Sequence, residues 1–365
     1  MRVNRIEFLE ALARVEAGRS QRPALEQSNC YIFSQSWCTT FNDELCCRTK
    51  VNLPQDFTGA VVGGPLKTLI ENFPDDEIDL VPVRNNAGLQ VRGRRRRAEV
   101  RMEAEILLPI DDVSPPEKWV PIDKPDEFAQ AIKQVSGACG TSDEEFLTVC
   151  IHLTPDGLEA CDRSQAVRYE MTTGVTRPFL VRAKALTQVA QYQMTKIGET
   201  VNWVHFRNKT LIYSCRRYIE DFMDLAPLWG FRGSPMVLPK GAVEAARIGA
   251  IFSGEDKEND RVTVRISEGH MVVRGEGSYG WAESDLETNF KGDPFSFRIG
   301  PALLEKIVHD HNSCEIGPGK MRITGENWQY LTSLGKVDPN APAEVTVPVE
   351  DEGSSDEEVG DSDDE

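Results

Sequence analysis

The sequence predicts an α+β protein made of three repeated modules, each with two helices on antiparallel sheet, and three observations lead there. Apolar residues at i, i+4 and i+7 mark a helical face at Phe8, Leu12 and Val15, and the same face returns 120 residues later at Phe128, Ile132 and Val135. A second, shorter face at Leu66, Leu69 and Ile70 returns at Leu186, Val189 and Ala190 and again at Leu304, Ile307 and Val308, at offsets of 120 and 118. Each of these second helices follows a strand-like run: Gly59-Ala60-Val61-Val62, Pro178-Phe179-Leu180-Val181 and Pro294-Phe295-Ser296-Phe297. Self-similarity at a fixed period is the mark of duplicated structural units.

Within a module the order is helix, alternating strands, a further strand, the second helix and more strands, about eight strands in all. The first copy reads Asn29-Cys30-Tyr31-Ile32-Phe33 and Leu45-Cys46-Cys47-Arg48-Thr49 after its first helix; the second reads 146–153 and Val167-Arg168-Tyr169-Glu170-Met171. Pro155-Asp156-Gly157 and Ser267-Glu268-Gly269 supply hairpin turns in the second and third copies. Helices apolar on one side can cover one face of such sheet. Pro115-Pro116-Glu117 and the Gly-Phe-Arg-Gly-Ser-Pro run at 230–235 separate the copies, which places the modules at residues 1–119, 120–234 and 235–337. Residues 338–365 hold 12 acidic side chains and no Lys or Arg, a self-repelling composition that predicts a disordered acidic tail.

Composition narrows the function classes. With 40% hydrophobic and 27% charged residues the chain is of globular type, and no apolar run approaches the roughly 18 residues of a membrane span. The first residues lack the apolar core and cleavage site of a signal peptide. Nine cysteines without C-x-x-C spacing predict neither a disulfide framework nor a zinc ribbon, and so a reducing cytoplasm. The net charge of −18 argues against a nucleic-acid partner until the tail is set apart, which leaves −6 for residues 1–337.

Local motifs accompany the threefold period. Arg22-Pro23-Ala24-Leu25 follows the first helix, and Leu158-Glu159-Ala160-Cys161-Asp162-Arg163-Ser164-Gln165-Ala166 lies in the second module. The third module has Ala250-Ile251-Phe252-Ser253-Gly254-Glu255 and then Arg261-Val262-Thr263-Val264. In this order the chain resembles the bacterial β sliding clamp, the processivity subunit of the replicative DNA polymerase, over residues 1 to about 335. The resemblance implies the DNA clamp fold, closed as a head-to-tail homodimer into a ring whose helices line a pore around duplex DNA. It implies no catalytic site, cofactor or metal. The partners it implies are double-stranded DNA, the DNA polymerase, a clamp-loader ATPase, other clamp-binding proteins that dock short peptides, and a second copy of the chain. The implied place is the cytoplasm, at the nucleoid or, for a viral protein, in the host cell. Such a ring needs only a mildly basic pore, because phosphate contacts carry no sequence information and must stay weak enough to slide. An interaction scaffold of the same fold that does not encircle DNA is the alternative.

Basic residues on or beside the helices are the candidates for DNA contact: Arg14, Arg19, Arg22, Lys67, Lys133, Lys184, Lys196, Arg247 and Lys306. Arg22 stands in a motif whose arginine contacts DNA in the family, whereas the loop Ser142-Asp143-Glu144-Glu145 is acidic where the family offers Gln and Tyr. By the same resemblance, a client-peptide groove between the second and third modules would use Cys161, Ser164, Ala166, Val237, Leu331 and Ser333, and the subunit contact would join Ala98 and Val100 of one chain to Ile251 and Phe252 of the next. The run Arg94-Arg95-Arg96-Arg97 reads equally as a nucleic-acid patch or as a solvated hairpin. Gly275-Glu276-Gly277-Ser278-Tyr279-Gly280 matches G-x-G-x-x-G but precedes a strand-like stretch, so no helix N-terminus is available for a pyrophosphate. Adjacent Cys46 and Cys47 point to opposite faces of a strand and cannot chelate one metal, which predicts core and rim positions for them. His309 and His311 share no helix face, and no Ser/His/Asp or Cys/His arrangement can be picked out.

Overall fold

Over the described residues, 1–22, 25–253, 261–310 and 313–337 of a computed structural model, one order of elements runs three times. The acidic tail, Pro23, Ala24, Gly254, Glu255 and His311 lie outside the described residues. The first repeat is β1 (Arg2–Asn4), α1 (Arg5–Val15), β2 (Cys30–Ser34), β3 (Trp37–Phe41), β4 (Leu45–Lys50), β5 (Gly59–Val62), α2 (Gly63–Glu71), β6 (Glu77–Val83), β7 (Gly88–Arg92) and β8 (Arg97–Glu103). The second is β9 (Val120–Pro121), α3 (Pro125–Ser136), β10 (Cys150–Thr154), β11 (Gly157–Cys161), β12 (Gln165–Glu170), β13 (Phe179–Arg182), α4 (Ala183–Val189), β14 (Lys196–Glu199), β15 (Trp203–Arg207) and β16 (Leu211–Arg216). A single helical turn, α5 (Ala226–Trp229), then precedes the third: β17 (Ser234–Val237), α6 (Ala242–Ser253), β18 (Val262–Ser267), β19 (His270–Gly277), β20 (Gly280–Glu287), β21 (Phe295–Ile299), α7 (Pro301–Asp310), β22 (Ser313–Gly317), β23 (Lys320–Thr324) and β24 (Trp328–Ser333).

Each repeat is therefore strand, helix and three strands, twice over, giving two four-stranded antiparallel units. In the second repeat these are β13-β10-β11-β12 and β9-β14-β15-β16. The repeats join edge to edge. β4 of the first pairs with β16 of the second, Cys47 opposite Tyr213, and β12 of the second pairs with β24 of the third, Val167 opposite Tyr330. Helices pack in pairs, α1 with α2, α3 with α4 and α6 with α7. Phe8, Leu12 and Val15 on α1, like Phe128, Ile132 and Val135 on α3, bury the predicted stripe in a core that runs through all three repeats. Start signals match these positions: the Asn4 side chain accepts from the N–H groups of Ile6 and Glu7 at 3.0 and 3.1 Å, and prolines open α3 and α7.

Two stretches differ from the sequence expectation for physical reasons. Residues 146–149 form a 3-10 turn rather than the start of a strand, with Thr148 Oγ1 donating to the Glu145 carbonyl at 2.8 Å. The first helix of the third repeat, α6, shows no stripe because its buried face is Ala242, Ala245, Ala246 and Gly249 while Ile248 and Ile251 stay exposed. Small residues let α6 approach β19 closely. A Cβ on Gly275 would stand 1.8 Å from the Gly249 carbonyl oxygen, so the first glycine of the G-x-G-x-x-G run is required by packing, and the run continues through the β19–β20 hairpin with no helix after it.

Candidate nucleic-acid face, junction groove and open edges

The six paired helices each present one of the predicted basic residues: Arg14, Lys67, Lys133, Lys184, Arg247 and Lys306. Lys133, Lys184, Arg247 and Lys306 are exposed, and Arg22 is exposed in the loop after α1. Several are already engaged. Arg14 pairs with Glu10 one turn back at 3.1 Å, Arg247 pairs with Glu305 of α7, and Lys306 Nζ donates to the Gly137 carbonyl at 2.5 Å across the repeat boundary. Arg19 departs from its expected role. Its side chain is only 13% exposed and is paired with Glu16, which also accepts from the Tyr31 hydroxyl, so its charge is consumed inside the repeat. Burial pushes the Glu16 carboxyl up, but hydrogen bonds from Arg19 and Tyr31 outweigh this and hold it below the usual carboxylate range. Lys196 also departs, lying on β14 at a strand position rather than on a helix. The acidic loop 142–145 is partly neutralised, Asp143 by Arg182 at 2.5 Å and Glu145 by Arg163.

At the second junction the sheet brings three of the six groove candidates together. Cys161 ends β11, Ala166 lies on β12 and Leu331 stands opposite it on β24, all in one apolar cluster. Ser164 and Ser333 meet beside them, the Ser164 carbonyl accepting from the Ser333 N–H at 2.7 Å and its hydroxyl at 2.9 Å. Val237 stands apart on β17, the far edge strand of the same sheet, and is exposed. The trio is not an open pocket, because Cys161, Ala166 and Leu331 are each under 5% exposed beneath Leu225 and Trp229, with Phe222, Leu228 and Phe231 alongside. Four of these, Phe222, Leu225, Leu228 and Trp229, went unassigned in the sequence reading. Their signal is apolar side chains at 222, 225, 228 and 229, a helix-like spacing in the connection between repeats.

Two strand edges at equivalent places stay open. Among the described residues β20 pairs with β19 alone, and the 97–101 stretch of β8 pairs with β7 alone. Ile251, at the end of α6, is 75% exposed, and the Phe252 ring lies against Gly280 where β20 begins. On β8, Ala98 is half-buried, and Val100 is buried in its own repeat, so any contact Val100 makes with another chain runs through its backbone. Arg94 to Arg97 are all exposed at the tip and start of that strand.

The three-part architecture is shared with solved structures. The DNA polymerase III β subunit of Thermotoga maritima superposes with a TM-score of 0.79 at 13% identity, covering 92% of this chain and 99% of that one. The β chain of Streptococcus pneumoniae gives 0.80 at 12% identity and the DNA polymerase sliding clamp of Pseudomonas aeruginosa 0.77 at 13%, each with the same coverage. This is the DNA clamp fold. At such identities the clamp likeness is one of fold, and no protein-family model or curated protein sequence matches the chain. Cys46 and Cys47 do face opposite sides of β4, but both are fully buried, Cys46 beneath Leu108, Ile110 and Val113 of the first connection, so neither is a rim residue. Among the described residues no group of three His, Cys, Asp or Glu is placed to hold a metal ion, and no helix is long and apolar enough to cross a membrane.

Proposed function

We propose that the chain is a sliding clamp: two copies close head to tail around duplex DNA and tether a DNA polymerase and other replication or repair proteins, after loading by an ATPase, in the cytoplasm. The observation that carries this reading is the third junction. β4, β12 and β20 are equivalent strands, as are β16, β24 and β8; the first two pairings exist within the chain, and among the described residues β20 and the 97–101 stretch of β8 have no such partner. A surface that meets a different surface on the next copy is heterologous, and it closes into a ring when the rotation per unit allows.

The repeats also supply the register. The turns Asn208–211, Gly325–328 and Gly93–96 are each closed by the same N–H to carbonyl bond, which aligns Tyr213, Tyr330 and Ala98. The hairpins leading into β4, β12 and β20 align Cys47, Val167 and Ser284. Ser284 then falls opposite Ala98 of the next chain, Asp285 opposite Arg97 and Glu287 opposite Arg95. Glu283 falls opposite Glu99 with Arg97 and Arg101 as diagonal neighbours. The arginine run thus has a proposed protein partner in the acidic face of β20.

The six helices carry seven basic and eight acidic residues, a nearly balanced surface. That balance supports retention by linkage around DNA rather than by phosphate attraction, with Arg14, Arg22, Lys67, Lys133, Lys184, Arg247 and Lys306 easing loading and sliding. Sedimentation tests the assembly: the chain runs as a dimer, and Ile251→Arg with Phe252→Glu runs as a monomer because unpaired charge would be buried at the contact. A dimer mass unchanged by the double substitution removes this interface.

A further inference from the structure

The connection between the second and third repeats is fixed at both ends. It leaves β16 through Arg217, whose guanidinium is buried 3.1 Å from Glu199 and donates to the Thr200 carbonyl at 2.8 Å. It enters β17 through Gly233, where an added Cβ would meet the Ile316 carbonyl oxygen at 2.7 Å. Between these anchors, residues 219–231 lie over Cys161, Ala166 and Leu331, the apolar floor of the junction.

What holds the middle is side chains rather than backbone. Leu225 and Trp229 are 4% and 7% exposed in the groove, Met223 is 40% exposed at its lip with its sulfur 3.1 Å from that of Cys161, and Ile219 is 65% exposed outside it. Among the described residues the segment makes no strand pairing; its backbone bonds are local, Leu228 N–H to the Leu225 carbonyl and Phe231 N–H to the Leu228 carbonyl. The Arg322 guanidinium reaches the Trp229 carbonyl at 3.2 Å and Arg168 lies over its ring, but the buried Trp229 indole N–H has no hydrogen-bond partner among the described residues. An unpaired buried donor weakens the seat. The first connection is tied down differently. Gln27 clamps its backbone at the Glu105 carbonyl and the Leu107 N–H, both at 2.9 Å, and Arg48 reaches the Ile110 carbonyl at 2.5 Å.

We propose that residues 219–231 are a displaceable strap that fills the client groove in cis, so that an external peptide presenting aliphatic and aromatic side chains occupies the groove only when Leu225 and Trp229 withdraw. This rests on the reading that clients dock at the second junction. A tethered segment competes at high effective concentration, and one held by few side chains opens locally without unfolding the sheet beneath.

The test uses the full chain, intact or with residues 220–229 replaced by a Gly-Ser stretch of equal length, and a fluorescein-labelled synthetic peptide of this chain's residues 219–231. The opened chain binds the peptide at least tenfold more tightly than the intact chain, and Leu331→Ala in the opened chain weakens that binding. A folded opened chain that binds no better than the intact one overturns the strap. Native thiol labelling of the intact chain gives an answer even if the replacement does not fold. Cys161, beneath Met223, and Cys30, beneath the first connection, are both buried thiols, so their labelling rates compare how often each cover opens. Cys161 labels at least tenfold faster; equal protection overturns the proposal. A failure of the client reading shows separately, as polymerase stimulation that is insensitive to Leu331→Ala while the peptide result stands.

Discussion

Burial holds the His205 imidazole neutral and, with the nearby Arg48 charge, pushes its pKa down to about 3 from an ordinary 6.5. Thr200 Oγ1 and Ser214 Oγ sit 3.0 and 2.7 Å from its two ring nitrogens. Between those two pKa values the unfolded chain binds a proton that the folded chain does not, so stability falls as pH drops below 6.5, by about 2 kcal/mol at pH 5. Urea unfolding at pH 7.5 and pH 5 measures this, and His205→Gln removes most of the difference. Glu16, Glu127 and Glu315 are held below the usual carboxylate range and add losses of the same sign only at lower pH, where the unfolded chain's carboxylates take up protons that the folded ones still refuse. Residue roles were the least legible part of the sequence. A composition shows that Arg19 is basic, but only the fold reveals that Glu16, itself held by the Tyr31 hydroxyl, has already claimed it.

Elements were legible where burial imposed a period. The α1 and α3 stripes could be read because Phe8, Leu12 and their counterparts are large and face one side. β1, β9 and β17 could not, since two to four residues show no alternation, and α6 could not because alanine and glycine make up its buried face. The strap escaped for another reason: its apolar residues cover the outside of a junction that exists only once two repeats have paired. At this scale the register between β20 and β8 makes a charge prediction. Arg95→Glu with Arg97→Glu weakens the dimer roughly tenfold or more, since opposed charges across strands contribute up to about 1 kcal/mol each and like charges cost similar amounts. Adding Asp285→Arg with Glu287→Arg to the same chain restores the dimer. If the second pair of reversals fails to rescue the sedimentation mass, the register is wrong.

For the molecule as a whole, the threefold period was the legible feature, because a duplicated unit repeats its core pattern even where individual motifs have drifted. The clamp fold bears this out over 92% of the chain. Ring closure and DNA linkage rest on the two open edges and on a helical surface whose charges nearly cancel. The measurement that tests them most directly is retention of loaded protein on nicked circular DNA, before and after linearisation, in salt high enough to screen phosphate contacts. A linked ring stays on the circle and is lost once the DNA has free ends. Equal retention on both forms would mean ordinary electrostatic or groove binding and would contradict the sliding-clamp account.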